Sequence, residues 1–213
     1  MNRMSIAQVL FCISVVTTPV AAHAWALYDE EDGVKSYRKE VKGSPVVAFM
    51  GKTTIDAPLE MVLGVLGDNT RRTEWVDRLE TSTVLETVTP YEHFIYQAYD
   101  LPWPISDRDY VYHAKATNQG DSVVLHIKSI THRKAPKTVG VRAHLHSCTY
   151  TLVPTGEGQT HVTVEVHTDP KGHIPNWLVN LIQKKWPIKT LSGIRRQVKK
   201  PAVKPKPRPP ITP

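Results

Sequence analysis

The chain has 213 residues, a formal net charge of +7 and 40% hydrophobic residues, enough for one domain with a sizeable core. The charge is unevenly placed: Trp25 to Pro170 carries 15 basic against 20 acidic residues, a net of −5, whereas Lys171 to Pro213 carries 11 basic residues and no acid. Nothing in the body has the basic-groove signature of a nucleic-acid binder, and no segment after the N-terminal leader is apolar for long enough to cross a membrane.

In chain order, Arg3 and the apolar run Ile6 to Val16 lead to Ala22-His23-Ala24, a small-residue cleavage pattern. Residues 1–24 therefore read as a signal peptide, with a periplasmic or secreted protein starting at Trp25. That protein keeps a single cysteine, Cys148, so it has no internal disulfide and its core must supply the stability. Val34–Val41 and Val46–Ile55 read as strands around the turn Lys42-Gly43-Ser44-Pro45. Asp56-Ala57-Pro58 then opens a helix with Leu59, Val62, Leu63 and Leu66 on one apolar stripe. Further strands follow at about Leu79–Val88, His93–Tyr99, Asp109–Ala116, Ser122–Ile130, Val139–Val153 and Gln159–His167, separated by Gly-, Pro- and Asn-rich turns. After Asp169-Pro170 the spacing predicts a long helix over Pro175–Val198, kinked at Pro187. Residues 201–213 are rich in Pro and Lys and read as a disordered, polyproline-like arm outside the fold, a spacer or a binding arm.

This order predicts an α+β fold in which a curved antiparallel sheet wraps around a long C-terminal helix. The alternation Val123, Leu125, Ile127 and Val162, Val164, Val166 gives the sheet one apolar face that must be covered. One helix cannot cover all of it, so apolar surface remains to line a cavity. The chain then reads as a holder of one hydrophobic molecule, without cofactor or metal and without a catalytic residue.

Several segments carry a resemblance. They are Asp32-Gly33-Val34-Lys35-Ser36-Tyr37-Arg38, Arg72-Thr73-Glu74-Trp75-Val76, Leu101-Pro102-Trp103-Pro104-Ile105-Ser106-Asp107-Arg108-Asp109, Val139-Gly140-Val141-Arg142 and the stretch from Asp169 to Asn180. Together, in this order, they resemble the START domain, the steroidogenic-acute-regulatory-related lipid-transfer module of the helix-grip superfamily. The resemblance covers residues 25–200. It implies the helix-grip fold, a tunnel between sheet and C-terminal helix, and binding of one lipid-like molecule with no reaction and no metal. One departure is Tyr150, where the family tends to have Trp.

The candidate ligand-binding residues are Trp75, Trp103, Arg108, Arg142, Trp177, Leu178, Leu181 and Ile182. Trp75 packs beneath the first helix or gates the tunnel. Trp103, stiffened by Pro102 and Pro104, is a packed loop anchor or part of the tunnel wall. Arg108 and Arg142 are partners of structural carboxylates or, as the resemblance implies for Arg108, contacts for a polar headgroup. Trp177, Leu178, Leu181 and Ile182 face the sheet as core and tunnel lining, and Leu191, Ile194 and Val198 continue that face. Trp186 lies among Lys184, Lys185 and Lys189 and suits either a membrane interface or partial burial. Together with Arg195, Arg196, Lys199 and Lys200, these lysines predict docking of a monomer on an anionic membrane surface. The alternative reading is a cyclase- or hydrolase-like enzyme on the same superfold, with His144, His146, Glu165 and His167 as metal ligands in one strand register.

Overall fold

The computed structural model describes residues 24–156, 158–174, 179 and 184–211. Ten strands form one curved sheet: β1 (Ala26–Glu31), β2 (Val34–Lys39), β3 (Ala48–Ile55), β4 (Leu79–Thr89), β5 (Glu92–Tyr99), β6 (Arg108–Gln119), β7 (Ser122–Ser129), β8 (Val141–Arg142), β9 (His144–Pro154) and β10 (Thr160–Asp169). The strand order is β1-β2-β3-β10-β9-β7-β6-β5-β4, antiparallel throughout except that the short β8 pairs parallel to β6. Helix α1 (Leu59–Gly67) follows β3, and α2 (Trp186–Gln197) lies against the concave face. This is the expected α+β helix-grip architecture.

The alternating residues do what their period predicts. Val162, Val164 and Val166 of β10 and Val123, Leu125 and Ile127 of β7 are all buried. The α1 stripe Leu59, Val62, Leu63 and Leu66 is buried as a unit, as are Leu191, Ile194 and Val198 at the C-terminal end. Gly51 of β3 sets how closely α2 approaches. A Cβ there would fall 2.8 Å from the Cβ of Pro187 and 2.9 Å from Cδ1 of Leu191. The helix axis therefore sits lower over this strand than any larger residue would permit.

Three expectations change. An additional edge strand, β1, pairs with β2. The predicted strand over Val139–Val153 divides into β8 and β9, because Val141 and Arg142 turn aside to pair with Arg108 and Asp109. Pro187 sits in the first turn of α2, where a missing N–H has no partner to lose, and most of the predicted helix before residue 184 lies outside the described residues. Finally, residues 201–211 are part of the fold rather than a disordered arm. They form an extended strap across α1, with Val203 and Pro209 buried. The Lys206 N–H donates to the Glu60 carbonyl at 2.8 Å, Asn118 Nδ2 donates to the Pro209 carbonyl at 3.1 Å, and Arg208 Nε meets Glu60 Oε1 at 2.9 Å. Polyproline backbone exposes every carbonyl, so it can be held by side chains and helix groups without forming a regular element.

Candidate lipid-binding cavity

A cavity of about 200 Å³ lies between the concave face and α2. Its wall is built by strand parity. Along β6, Arg108, Tyr110 and Tyr112 point inward, since successive side chains alternate between faces. Gln97 and Tyr99 face them from β5, Cys148 and Tyr150 from β9, and Val166 and Thr168 from β10. Trp75 and Val76, just after the 3-10 turn Arg72–Glu74, close one side. Ile174, Val179, Trp186 and Thr190 close the helix side, and an ion pair of 2.8 Å between Lys189 and Asp77 stands at the rim.

Burial raises the phenol pKa of Tyr99, Tyr110 and Tyr150, pushes Tyr112 up to about 12, and pushes the Cys148 thiol up to about 12. These groups are therefore neutral hydrogen-bonding functions at physiological pH. Tyr99 donates to Gln97 Oε1 at 2.7 Å, Gln97 Nε2 donates to Ser82 Oγ at 2.9 Å, and Ser82 Oγ donates to Asn69 Oδ1 at 2.6 Å. Tyr110 and Thr168 hydroxyls share a hydrogen bond at 3.2 Å.

The inner charge is Arg72. Its side chain is buried, with the residue 7% exposed, and one guanidinium nitrogen donates to the Leu66 carbonyl at the end of α1. The guanidinium carbon lies 5.7 Å from the Trp75 ring centroid. Among the described residues Arg72 makes no salt bridge, and its buried Nε has no hydrogen-bond partner. A buried donor left unpaired is unfavourable, and a ligand oxygen would satisfy it.

The predicted site residues separate into groups. Trp75 is buried at the cavity wall, as its position beneath α1 suggests. Arg108 also reaches the wall, but its hydrogen bonds go to three backbone carbonyls rather than a carboxylate. It donates to Pro170 at 2.9 Å, to Lys171 at 3.0 Å and to Ser106, pinning the turn that precedes the helix region. Burial lowers its pKa from the usual arginine value. Arg142 is a correction: it lies on the opposite face, bound to Asp109 at 2.5 Å, because Asp109 is one residue out of phase with Arg108. Asp109 is fully buried and also accepts from Tyr96 and the Val139 N–H. Trp103 is a second correction. It is 92% exposed, neither packed nor on the cavity wall, because the rigid Pro102–Pro104 loop projects it outward. Trp177, Leu178, Leu181 and Ile182 lie outside the described residues.

Sequence reading missed Arg72, Gln97 and the four tyrosines as site residues. The signal was present in Arg108-x-Tyr110-x-Tyr112, three polar or aromatic residues in phase with the apolar face. Trp186, half-buried, lines the cavity. The basic end is also less free than its charge suggests. Lys185 pairs with Asp29 and Glu31, Lys200 with Glu74, and Arg195 donates to the Asp32 carbonyl and Thr53.

The histidines of the alternative reading gather on the outer face. His146 stacks on His167 with centroids 4.5 Å apart, and His144 meets His146 edge-on at 4.7 Å. A bulge sets His167 opposite Ser147 and Thr168 opposite Leu145, a register distinct from both simple pairings, and Glu165 faces Thr149. Among the described residues no group of three or more His, Cys, Asp or Glu side chains is arranged to hold a metal ion. None of these histidines reaches the cavity wall.

Comparison with known proteins agrees with this geometry. The START domain family matches residues 11–202. The chain is a START-domain protein. It is 32% identical over 188 residues to an uncharacterised protein of Pseudomonas aeruginosa, covering 84% of this chain and 89% of that one. It is 28% identical to the ceramide transfer protein of Xenopus laevis over 76% of this chain, but spans only 30% of that longer protein. The solved StAR-related lipid transfer protein of Xanthomonas axonopodis superposes with a TM-score of 0.74 at 30% identity, covering 83% of this chain and 99% of that one. Human StAR-related lipid transfer protein 5, at 20% identity and TM-score 0.76 over 84% of this chain and 88% of that one, shares the fold.

Proposed function

We propose that this START-domain protein binds one lipid or other hydrophobic molecule in the cavity between sheet and α2 and transfers it without converting it. The observation that carries the reading is a largely apolar cavity whose one unpaired buried donor, among the described residues, is Arg72 Nε. Such a site holds an apolar body and orients it by a single oxygen. The names of its relatives, lipid-transfer proteins and a ceramide transfer protein, support the same class of ligand. The small-residue pattern before Trp25 supports export, so the proposed working place is the periplasm or the exterior, as a monomer.

We also propose contact with an anionic membrane surface. The intramolecular ion pairs of the basic end shift the emphasis to Arg196 and Lys199, which are exposed, and to Trp103. Trp103 is two residues along the chain from Leu101, a wall residue of the cavity. An exposed Trp suits the headgroup region.

The test is incubation of the purified protein, starting at Trp25, with radiolabelled bacterial phospholipids and fatty acids, followed by product analysis. The expected result is recovery of the bound lipid unchanged. Hydrolysed or cyclised product at catalytic turnover would overturn the reading.

A further inference from the structure

A second cavity of about 70 Å³ lies beneath α1. It is larger than the roughly 10–15 Å³ that a single water needs. Its origin is visible along β6. The inward series runs Arg108, Tyr110, Tyr112, Ala114, Ala116, so the wall recedes where tyrosines give way to alanines. Leu63 and Leu66 of α1 and Leu125 of β7 complete a mostly apolar lining, to which Asn69 and His93 also belong.

Two residues, Arg72 and Ile127, line both cavities, so the Arg72 side chain is the partition between them. The outer end is closed by the C-terminal strap. Lys206 lies along it, its ammonium donating to the Pro90 carbonyl at 2.6 Å and standing 5.2 Å from the Tyr91 ring centroid. Its aliphatic stem faces inward while its charge stays at the surface. The strap is seated in α1 at Gly64, where any Cβ would collide with the Lys204 carbonyl oxygen. Glycine in a helix interior is unfavourable by about 1 kcal/mol relative to Ala, so this notch has a stability cost that the seated strap explains. The residues matched to the family end at 202, just before Val203, the first buried residue of the strap.

We propose that this compartment is an annex of the lipid site that takes the shorter hydrocarbon arm of a lipid whose ester or amide linkage lies within its length. The larger cavity receives the long arm, Arg72 Nε meets the oxygen of the linkage between them, and the strap keeps the annex dry. The unequal volumes, about 200 and about 70 Å³, set the unequal arms. A polar donor between two apolar chambers selects a polar group flanked by hydrocarbon on both sides, not one at the end of a chain.

The inference rests on the lipid-binding reading, and the experiment separates the two. Methyl, ethyl, propyl, butyl and hexyl palmitate are titrated against a dansyl-labelled fatty acid bound to the full protein. Each methylene buried in the annex strengthens binding about fourfold, so butyl palmitate, with three more methylenes, binds roughly sixtyfold tighter than methyl palmitate, with no further gain at hexyl. In Ala116→Leu, which fills the annex, the butyl-to-methyl ratio falls to near one; Ala114→Val serves if that variant does not fold. Displacement with no dependence on the alcohol chain, or the same rise in the filled variant, overturns the annex while leaving lipid binding intact. Failure of every ester, and of the labelled fatty acid itself, to bind overturns both.

Discussion

Replacing Arg72 with Met tests the chemistry of the cavity most sharply. The change keeps an unbranched side chain on the partition and removes the buried charge. A hydrogen bond from a charged donor contributes about 1.5–3 kcal/mol, which corresponds to a loss of about ten- to 150-fold in affinity for a ligand whose oxygen meets Nε. Stability should change much less. The Leu66 carbonyl loses its donor, at about 1–3 kcal/mol, but the cost of burying a cation without a carboxylate disappears with it. A net change under about 2 kcal/mol shifts Tm by less than about 8 °C in a domain of this size. The assay compares methyl palmitate with a plain hydrocarbon of equal length as competitors for the dansyl fatty acid. Wild type should prefer the ester, and Arg72→Met should lose that preference. A preference that survives the substitution would refute the role assigned to Arg72.

Three further outcomes follow from other parts of the molecule. Arg142→Met leaves the fully buried Asp109 without its cation and should destabilise the fold by about 2 kcal/mol or more in urea unfolding, below the usual buried-pair figure because the Arg142 side chain is 35% exposed; restoring stability with Asp109→Asn in the same chain checks the cause. Trp103→Ala should weaken binding to phosphatidylglycerol vesicles in flotation, and unchanged flotation at low salt would remove Trp103 from the docking surface. His146 and His167 have pKa values lowered by burial first and by neighbouring histidine charge second. The unfolded chain therefore binds more protons below the usual value of 6.5, so stability should fall as pH drops through 6.5 toward the lowered folded values. His167→Asn should flatten Tm against pH in that window, and an unaltered slope would assign the acid sensitivity to other groups.

What was legible in the sequence was what depends on local period. The α1 stripe, the Val162–Val166 alternation and the Leu191–Ile194–Val198 face each follow from spacing alone, and the sheet-and-helix order limited the fold to one that leaves apolar surface uncovered. β1 was not legible, because Ala-Leu-Tyr-Asp-Glu-Glu is a half-exposed edge strand without alternation. Arg108 and Arg142 looked alike in sequence. They part because β8 pairs with β6 across more than thirty positions, a non-local contact that places Arg142 beside Asp109 on the outer face. The strap was missed for a related reason: proline-rich chain has no period, and what holds it is a glycine notch and carbonyl acceptors far away in sequence. Arg72 stood in a segment already notable for Trp75, yet only the packing of α1 over β6 shows that its charge is buried.

Native mass spectrometry of the purified chain starting at Trp25, after exposure to vesicles of total bacterial lipid, tests the central claim most directly. The account predicts one lipid per protein, released intact on extraction, and loss of that adduct when Leu191→Asp breaks the seating of α2 on the sheet. A protein that folds normally and emerges from the vesicles only in its ligand-free mass would contradict it.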